Sequence, residues 1–111
     1  MTNISFYHLQ HTSLQQALPK LLDLTLKSGE RALIRVGSTD QLPELSSLLW
    51  NQDRDSWLPN GYGEDNYAHE LPIWLTVGLD NPNGASYIFI LDDIEVDNLD
   101  QFKRCFFIFD G

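Results

Sequence analysis

The sequence is poor in basic residues and contains no long apolar run. In 111 residues, seven lysines and arginines stand against sixteen aspartates and glutamates, which gives a formal net charge of −9. Affinity for nucleic acid rests mainly on lysine and arginine, so this charge argues against direct binding to DNA or RNA. No segment approaches the roughly 18 consecutive apolar residues of a membrane-spanning helix. We therefore expect neither a nucleic-acid partner nor a membrane partner.

Cysteine is almost absent as well. The single cysteine, Cys105, cannot form an intramolecular disulfide, and its place in an apolar run predicts a buried thiol. The first ten residues, MTNISFYHLQ, have no basic region followed by an apolar stretch, as a secretory signal would. Together these features predict a cytoplasmic protein.

The motifs of nucleotide-binding and catalytic sites are missing too. There is no G-x-G-x-x-G and no G-x-x-x-x-G-K-[ST], so no phosphate cradle is predicted. The histidines at 8, 11 and 69 do not have the spacing of a compact metal site, and no serine lies in a G-x-S-x-G turn. We predict no catalytic residues, no metal and no cofactor; a small nucleotide-binding domain or enzyme remains an alternative motivated by the fold alone.

The segments that are present alternate between strand and helix. Apolar runs predict strands at residues 4–9, 32–36, 73–77, 87–91 and 105–109. Leucines at helical spacing predict a helix over residues 14–26, kinked or restarted at Pro19 and followed by a C′ glycine at Gly29. A second helix is predicted from an N-cap at Asp40 to about Trp50.

This order predicts one α/β domain over residues 1–111. It is an open, mostly parallel twisted sheet with helices on its faces, Rossmann-like but without a nucleotide site. Residues 51–72 lack periodicity and are predicted to form a long loop. Since only two helices are visible, one face of the sheet is expected to lack its cover, either because the chain is truncated or because another chain covers it.

The predicted loop contains the most distinctive apolar side chains of the sequence. Trp50 closes the second helix, and Trp57, Leu58 and Pro59 follow a charged stretch. One interpretation is that both tryptophans fold back onto the core. The other is a protein-binding patch, because tryptophan is enriched at interface hot spots and proline loses little entropy on binding.

Seven short motifs in order resemble one known family. They are I-S-F-Y-H-L, L-P-K-L-L-x-x-T-L-K-x-G-x-R-A, L-L-W, W-L-P-N-G, P-I-W-L-T, D-N-P-N-G-A and the closing F-D-G. In this order and spacing they resemble the chi subunit of bacterial DNA polymerase III over essentially the whole chain.

The resemblance implies a non-catalytic accessory subunit with a nucleotide-binding-like fold that works by contact. In the family, one surface binds the psi subunit, and through it the clamp loader, while another binds the acidic C-terminal tail of single-stranded DNA-binding protein. A repair helicase is a further partner associated with the family. The psi-facing surface carries over to a segment of this sequence that includes Trp50, Trp57, Leu58, Pro59, Asn60 and Gly61.

Two departures limit what the resemblance implies. Asn60 stands where the family often has histidine, so this position is not expected to act through charge. The family continues after F-D-G with a helix rich in basic and aromatic residues that is not in this sequence. Residues 51–111 offer only Arg54, Lys103 and Arg104, so the tail-binding surface is left without most of its basic partners.

Overall fold

The computed structural model describes residues 3–9, 14–51, 58–63, 68–78, 81–91 and 99–110. Two α-helices and six strands lie within these ranges, with short 3-10 helices at Ala68–Glu70 and Leu99–Gln101. In chain order the elements are β1 (Asn3–Leu9), α1 (Leu14–Lys27), β2 (Ala32–Arg35), α2 (Gln41–Trp50), β3 (Asn60–Tyr62), β4 (Ile73–Thr76), β5 (Tyr87–Leu91) and β6 (Arg104–Asp110).

The six strands form one sheet in the order β1-β6-β5-β2-β4-β3, and every neighbouring pair is parallel. The predicted α/β class with an open parallel sheet is confirmed. The five predicted strands are present, each within one residue of its predicted ends. In β2 and β4 every residue is buried, as expected for the near-continuous apolar runs of interior parallel strands.

The path of the chain distributes the helices over the sheet. The chain crosses the sheet in one direction from β1 to β2 and from β2 to β3, and then returns through β4, β5 and β6. Right-handed crossovers in one direction place α1 and α2 on the same face. Their leucines pack with Ile34, Leu75 and Phe89. On the opposite face, the described cover of Trp74 and Ile88 comes from the two 3-10 helices and adjoining residues.

Helix α1 runs without interruption through Pro19, so the predicted restart at this residue is wrong. Proline removes one backbone hydrogen bond and costs about 3 kcal/mol inside a helix. Leu18 and Leu22 are fully buried against the sheet, and this packing holds the helix together. The predicted C′ position is confirmed, because Gly29 has a φ of 85° and its N–H donates to the carbonyl of Leu26 at 3.0 Å.

Helix α2 begins as predicted, but its first residues are capped differently. Asp40 precedes the helix with helical dihedral angles, and its side chain makes no capping hydrogen bond. Instead, the side-chain oxygen of Gln41 accepts a hydrogen bond from the N–H of Ser38 at 3.0 Å. The start of α2 is therefore fixed by a side chain that reaches back, as in a capping box.

The side chain of Asn83 connects the amino ends of three strands through hydrogen bonds. Its side chain is 3% exposed and donates to the carbonyls of Ala32 at 3.2 Å and Leu71 at 3.1 Å. Those residues begin β2 and precede β4, while Asn83 itself leads into β5. Asn83 of the D-N-P-N-G segment thus holds the amino ends of these three strands in place.

We expect Asn83→Ala to lower the free energy of unfolding by about 1–3 kcal/mol, because the buried carbonyl of Ala32 and the partly buried carbonyl of Leu71 each lose a donor. Urea denaturation measures this change. The control is Asn51→Ala, since Asn51 is exposed and the hydrogen bonds described for its side chain go to Ser47 in α2. Equal losses of unfolding free energy in the two variants would contradict the role of Asn83 in connecting the strands.

Cys105 is completely buried in β6, as predicted. Burial raises the pKa of its thiol to about 11, and the positive charge of Arg35 lowers it only partly. In the unfolded chain the thiol ionises near pH 9, so the unfolded state loses this proton first as the pH rises. The stability that Cys105 contributes is complete below pH 9 and is lost between about pH 9 and pH 11.

We therefore expect Cys105→Ala to flatten the loss of stability between pH 9 and pH 11 relative to the parent chain. Denaturation midpoints measured at several pH values test this. A thiol reagent at neutral pH should react with Cys105 only as fast as the protein opens. Rapid labelling of the folded chain would contradict the buried position.

Candidate partner-binding surface

The end of α2 leaves a large aromatic side chain outside the core. Leu45 and Leu49 of α2 are buried against the sheet, whereas Trp50, the last residue of the helix, is 50% exposed. Asn51 is the C-cap of the helix. Its N–H and its side-chain amide both donate to the carbonyl of Ser47, at 3.1 and 2.8 Å. The backbone that carries the Trp50 indole is therefore well fixed.

Residues 58–60 contact the same helix and the core beneath it. Leu58 is 1% exposed and belongs to the core beneath the helices. Asn60 is 4% exposed; its side-chain oxygen accepts a hydrogen bond from the Ser46 hydroxyl at 2.5 Å, and its amide donates to the Leu58 carbonyl at 2.8 Å. A buried hydrogen bond thus joins α2 to β3.

The six predicted binding residues separate by exposure. Trp50 is exposed and Pro59 is half-buried, so both can meet a partner directly. Leu58, Asn60 and Gly61 are buried and hold the backbone of this edge. Trp57 lies outside the described residues. Half of the Trp50 surface faces solvent, so its indole is not enclosed in the core.

Sequence reasoning missed Tyr62 at the other end of β3. This residue is 39% exposed and pairs with Leu75 of β4, on the face that α2 covers. The only available signal was its position two residues after Asn60, since alternate residues of a strand point to the same face. We refer to Trp50, Pro59 and Tyr62 together as the α2–β3 surface.

A groove opens at the carboxyl ends of β2 and β5, where open α/β sheets usually bind ligands. Its volume is about 340 Å³. Among the described residues that line it, the only ionisable side chain is the carboxyl group of Glu44, and the three glycines described with positive φ, at 29, 63 and 84, are elsewhere. This chemistry favours an apolar occupant over a phosphate. The lining residues are Leu14, Val36, Gln41, Glu44, Leu45, Leu48 and Leu91.

The described residues show no metal centre and no membrane span. Within them, no three histidine, cysteine, aspartate or glutamate side chains lie close enough to hold a metal ion. His8 is in β1 and His69 is in a 3-10 helix. His11 and the acidic side chains at positions 92, 93, 95 and 97 lie outside the described ranges. In the same part of the chain, neither α-helix has the length and apolar character needed to cross a bilayer.

Comparison with known proteins identifies the family. Residues 1–111 match the family described as "DNA polymerase III chi subunit, HolC". A relative named "Probable DNA polymerase III subunit chi", from Rickettsia prowazekii (strain Madrid E), is 27% identical over 109 residues. That match covers 98% of this chain and 66% of the relative, so the chain spans just under two thirds of the relative's length. The resemblance seen in the sequence motifs is confirmed: this chain belongs to the DNA polymerase III chi subunit family.

Proposed function

We propose that this chain is a non-catalytic accessory subunit of the bacterial DNA polymerase III holoenzyme that joins the clamp loader, through a psi-like subunit, to single-stranded DNA-binding protein. It would act by contact alone, in the cytoplasm, during DNA replication. The observation that carries the proposal is the half-exposed Trp50 on a fixed helix end, in a chain of this family. The α2–β3 surface is the proposed site for the psi-like subunit.

The energetics of Trp50 support this site. Aromatic side chains bury about 150–250 Å² each and dominate the energetics of interfaces. Because Asn51 fixes the helix end and the Ser46–Asn60 hydrogen bond fixes β3, little backbone freedom is lost when a partner binds. A rigid aromatic anchor of this kind is typical of binding hot spots.

The two described elements next to Trp50, α2 and β3, carry little charge, although the sequence after Trp50 contains Asp53, Arg54 and Asp55. Glu44 is the only charged residue of α2, and β3 has none. The centres of protein–protein interfaces are depleted in charge and enriched in aromatic residues. We therefore infer that the psi-like partner presents an apolar or aromatic surface here.

The second proposed partner, the acidic tail of single-stranded DNA-binding protein, has less support. A hydrogen bond from the Ser86 hydroxyl lowers the pKa of the Glu30 carboxyl group, and the ammonium group of Lys103, 3.0 Å from the carboxylate, lowers it further. The Arg104 guanidinium lies 4.6 Å from the centre of the Phe106 ring. Lys103 thus already pairs with a carboxylate, whereas the Arg104 guanidinium packs on an aromatic ring and its buried Nε has no hydrogen-bond partner among the described residues.

Isothermal titration of the purified chain with a psi-like subunit tests the proposal. We expect saturable binding to that subunit and flat titrations with ATP and NAD, since the described residues of the groove form no phosphate-binding loop. A repair helicase is the alternative partner, and the same titration with the helicase separates the two. Saturable nucleotide binding without binding to any polymerase III subunit would contradict the proposal.

A further inference from the structure

Strand β1 forms one outer edge of the sheet. It pairs with β6 and, within the described residues, with no other strand. It is seven residues long, and Ile4 and Phe6 on it are 47% and 72% exposed. A long edge with exposed apolar side chains is a template for pairing with another strand.

The hydrogen bonds to β6 show which backbone groups face outward. The N–H of Asn3 donates to the carbonyl of Lys103 at 3.0 Å, in the register that pairs Asn3 with Arg104. Because the pattern alternates along a strand, the N–H and C=O groups of Asn3 and Ser5 are directed toward β6. Those of Ile4 and Phe6 are directed to the free edge.

The sequence of β1 itself carries none of the residues that prevent strand pairing, and none of the described elements other than β6 pairs with it. The sequence of β1, NISFYHL, contains no proline, lysine, arginine, aspartate or glutamate, although the whole chain carries a net charge of −9. The opposite edge strand, β3, has only three residues, two of them buried. Short edges and charged edges block pairing in natural sheets, so β1 is the unprotected edge among the described strands.

We propose that β1 pairs with β1 of a second copy of this chain, antiparallel about a two-fold axis at Ser5. In this register Ile4 of each copy lies opposite Phe6 of the other, and each pair exchanges two hydrogen bonds between outward-facing groups. Roughly four hydrogen bonds then close the edge. The two sheets become one continuous sheet across a symmetric interface.

The sequence of β1 is complementary to itself in this register. An aromatic side chain opposite a β-branched one is a favourable cross-strand pair, and Ser5 against Ser5 places two small side chains at the axis. A register centred on Phe6 would instead set Ile4 opposite His8. Phe6 already stacks on Phe107 with ring centres 5.4 Å apart, so the second copy extends an existing apolar row.

Sedimentation velocity over a wide range of concentration tests the dimer. We expect the parent chain to dimerise and Phe6→Lys to raise the dissociation constant at least tenfold, equivalent to about 1.4 kcal/mol. Leu24→Lys is the matched control, because Leu24 is an exposed apolar residue on α1 (64% exposed). A monomer at all concentrations, or equal effects of the two substitutions, would overturn the proposal.

Cross-linking tests the register independently of folding differences. Across a non-hydrogen-bonded pair the Cα atoms are about 4.5 Å apart, so Ser5→Cys should form a disulfide-linked dimer under mild oxidation. Tyr7→Cys is the control, because its two copies would be roughly 14 Å apart along the strands and should not cross-link. Cys105 is buried and does not compete. Absent or equal cross-linking would overturn the register; neither outcome bears on the psi-like partner.

Discussion

Replacing Trp50 with alanine is expected to weaken binding to the psi-like subunit about 30-fold or more. Loss of an interface hot spot costs about 2 kcal/mol or more, and each 1.4 kcal/mol is a factor of ten in affinity. Trp50 is half-exposed and ends its helix, so its truncation removes interface contact without opening a cavity in the core. Calorimetric titration of the variant measures the loss.

The matched control for this result is Leu24→Ala. Leu24 is also a large exposed apolar residue, but it lies on α1, away from the α2–β3 surface. Urea denaturation of both variants shows whether the fold is intact. Trp57→Ala, measured separately, tests the second tryptophan of the predicted patch. Unchanged affinity of the folded Trp50→Ala variant would remove Trp50 from the interface.

The largest expected loss of stability follows from Phe89→Ala in the centre of the sheet. Phe89 is fully buried in β5, and its ring stacks on Phe106 with centres 4.7 Å apart and planes 7° apart. Truncation of a buried phenylalanine costs about 3–5 kcal/mol, because it removes apolar contact and leaves a cavity. Since domains of this size are stable by only about 5–15 kcal/mol, the variant should be close to unfolding.

Phe6→Ala provides the same chemical change at an exposed site. Phe6 is 72% exposed, so in dilute solution its truncation should change the free energy of unfolding by well under half as much. Phe89→Leu keeps most of the side-chain volume and gives a measurable value if Phe89→Ala does not fold. Equal losses at Phe6 and Phe89 would contradict the position assigned to β5.

The main elements of the fold were predictable because their apolar pattern matches their position. The run at residues 87–91 is continuously apolar, and β5 lies in the interior of the sheet. Strand β3 was not predictable, because Asn60 and Gly61 have low strand propensity. The Ser46–Asn60 hydrogen bond and pairing with β4 hold these residues in the sheet, and both are tertiary contacts.

The candidate surface was predictable only in part. The sequence identified a cluster of apolar residues at and after the end of the second helix. Apolar character alone, however, does not show which of them are buried in the core and which are exposed to a partner. Leu58 and Trp50 are eight positions apart in the sequence, yet the first is buried and the second is half-exposed. Exposure depends on how α2 packs against β3, and the exposed Tyr62 depends on a strand that the sequence did not reveal.

The most direct test of the proposed function is hydrogen–deuterium exchange of the chain with and without the psi-like subunit. We expect the subunit to slow amide exchange at residues 49–51 and 58–63, the end of α2 and strand β3 with its flanks. Exchange at β1 and around the groove formed by α2 and the ends of β2 and β5 should not change. Protection confined to β1 or to the groove, or no protection anywhere, would contradict the assignment of the α2–β3 surface.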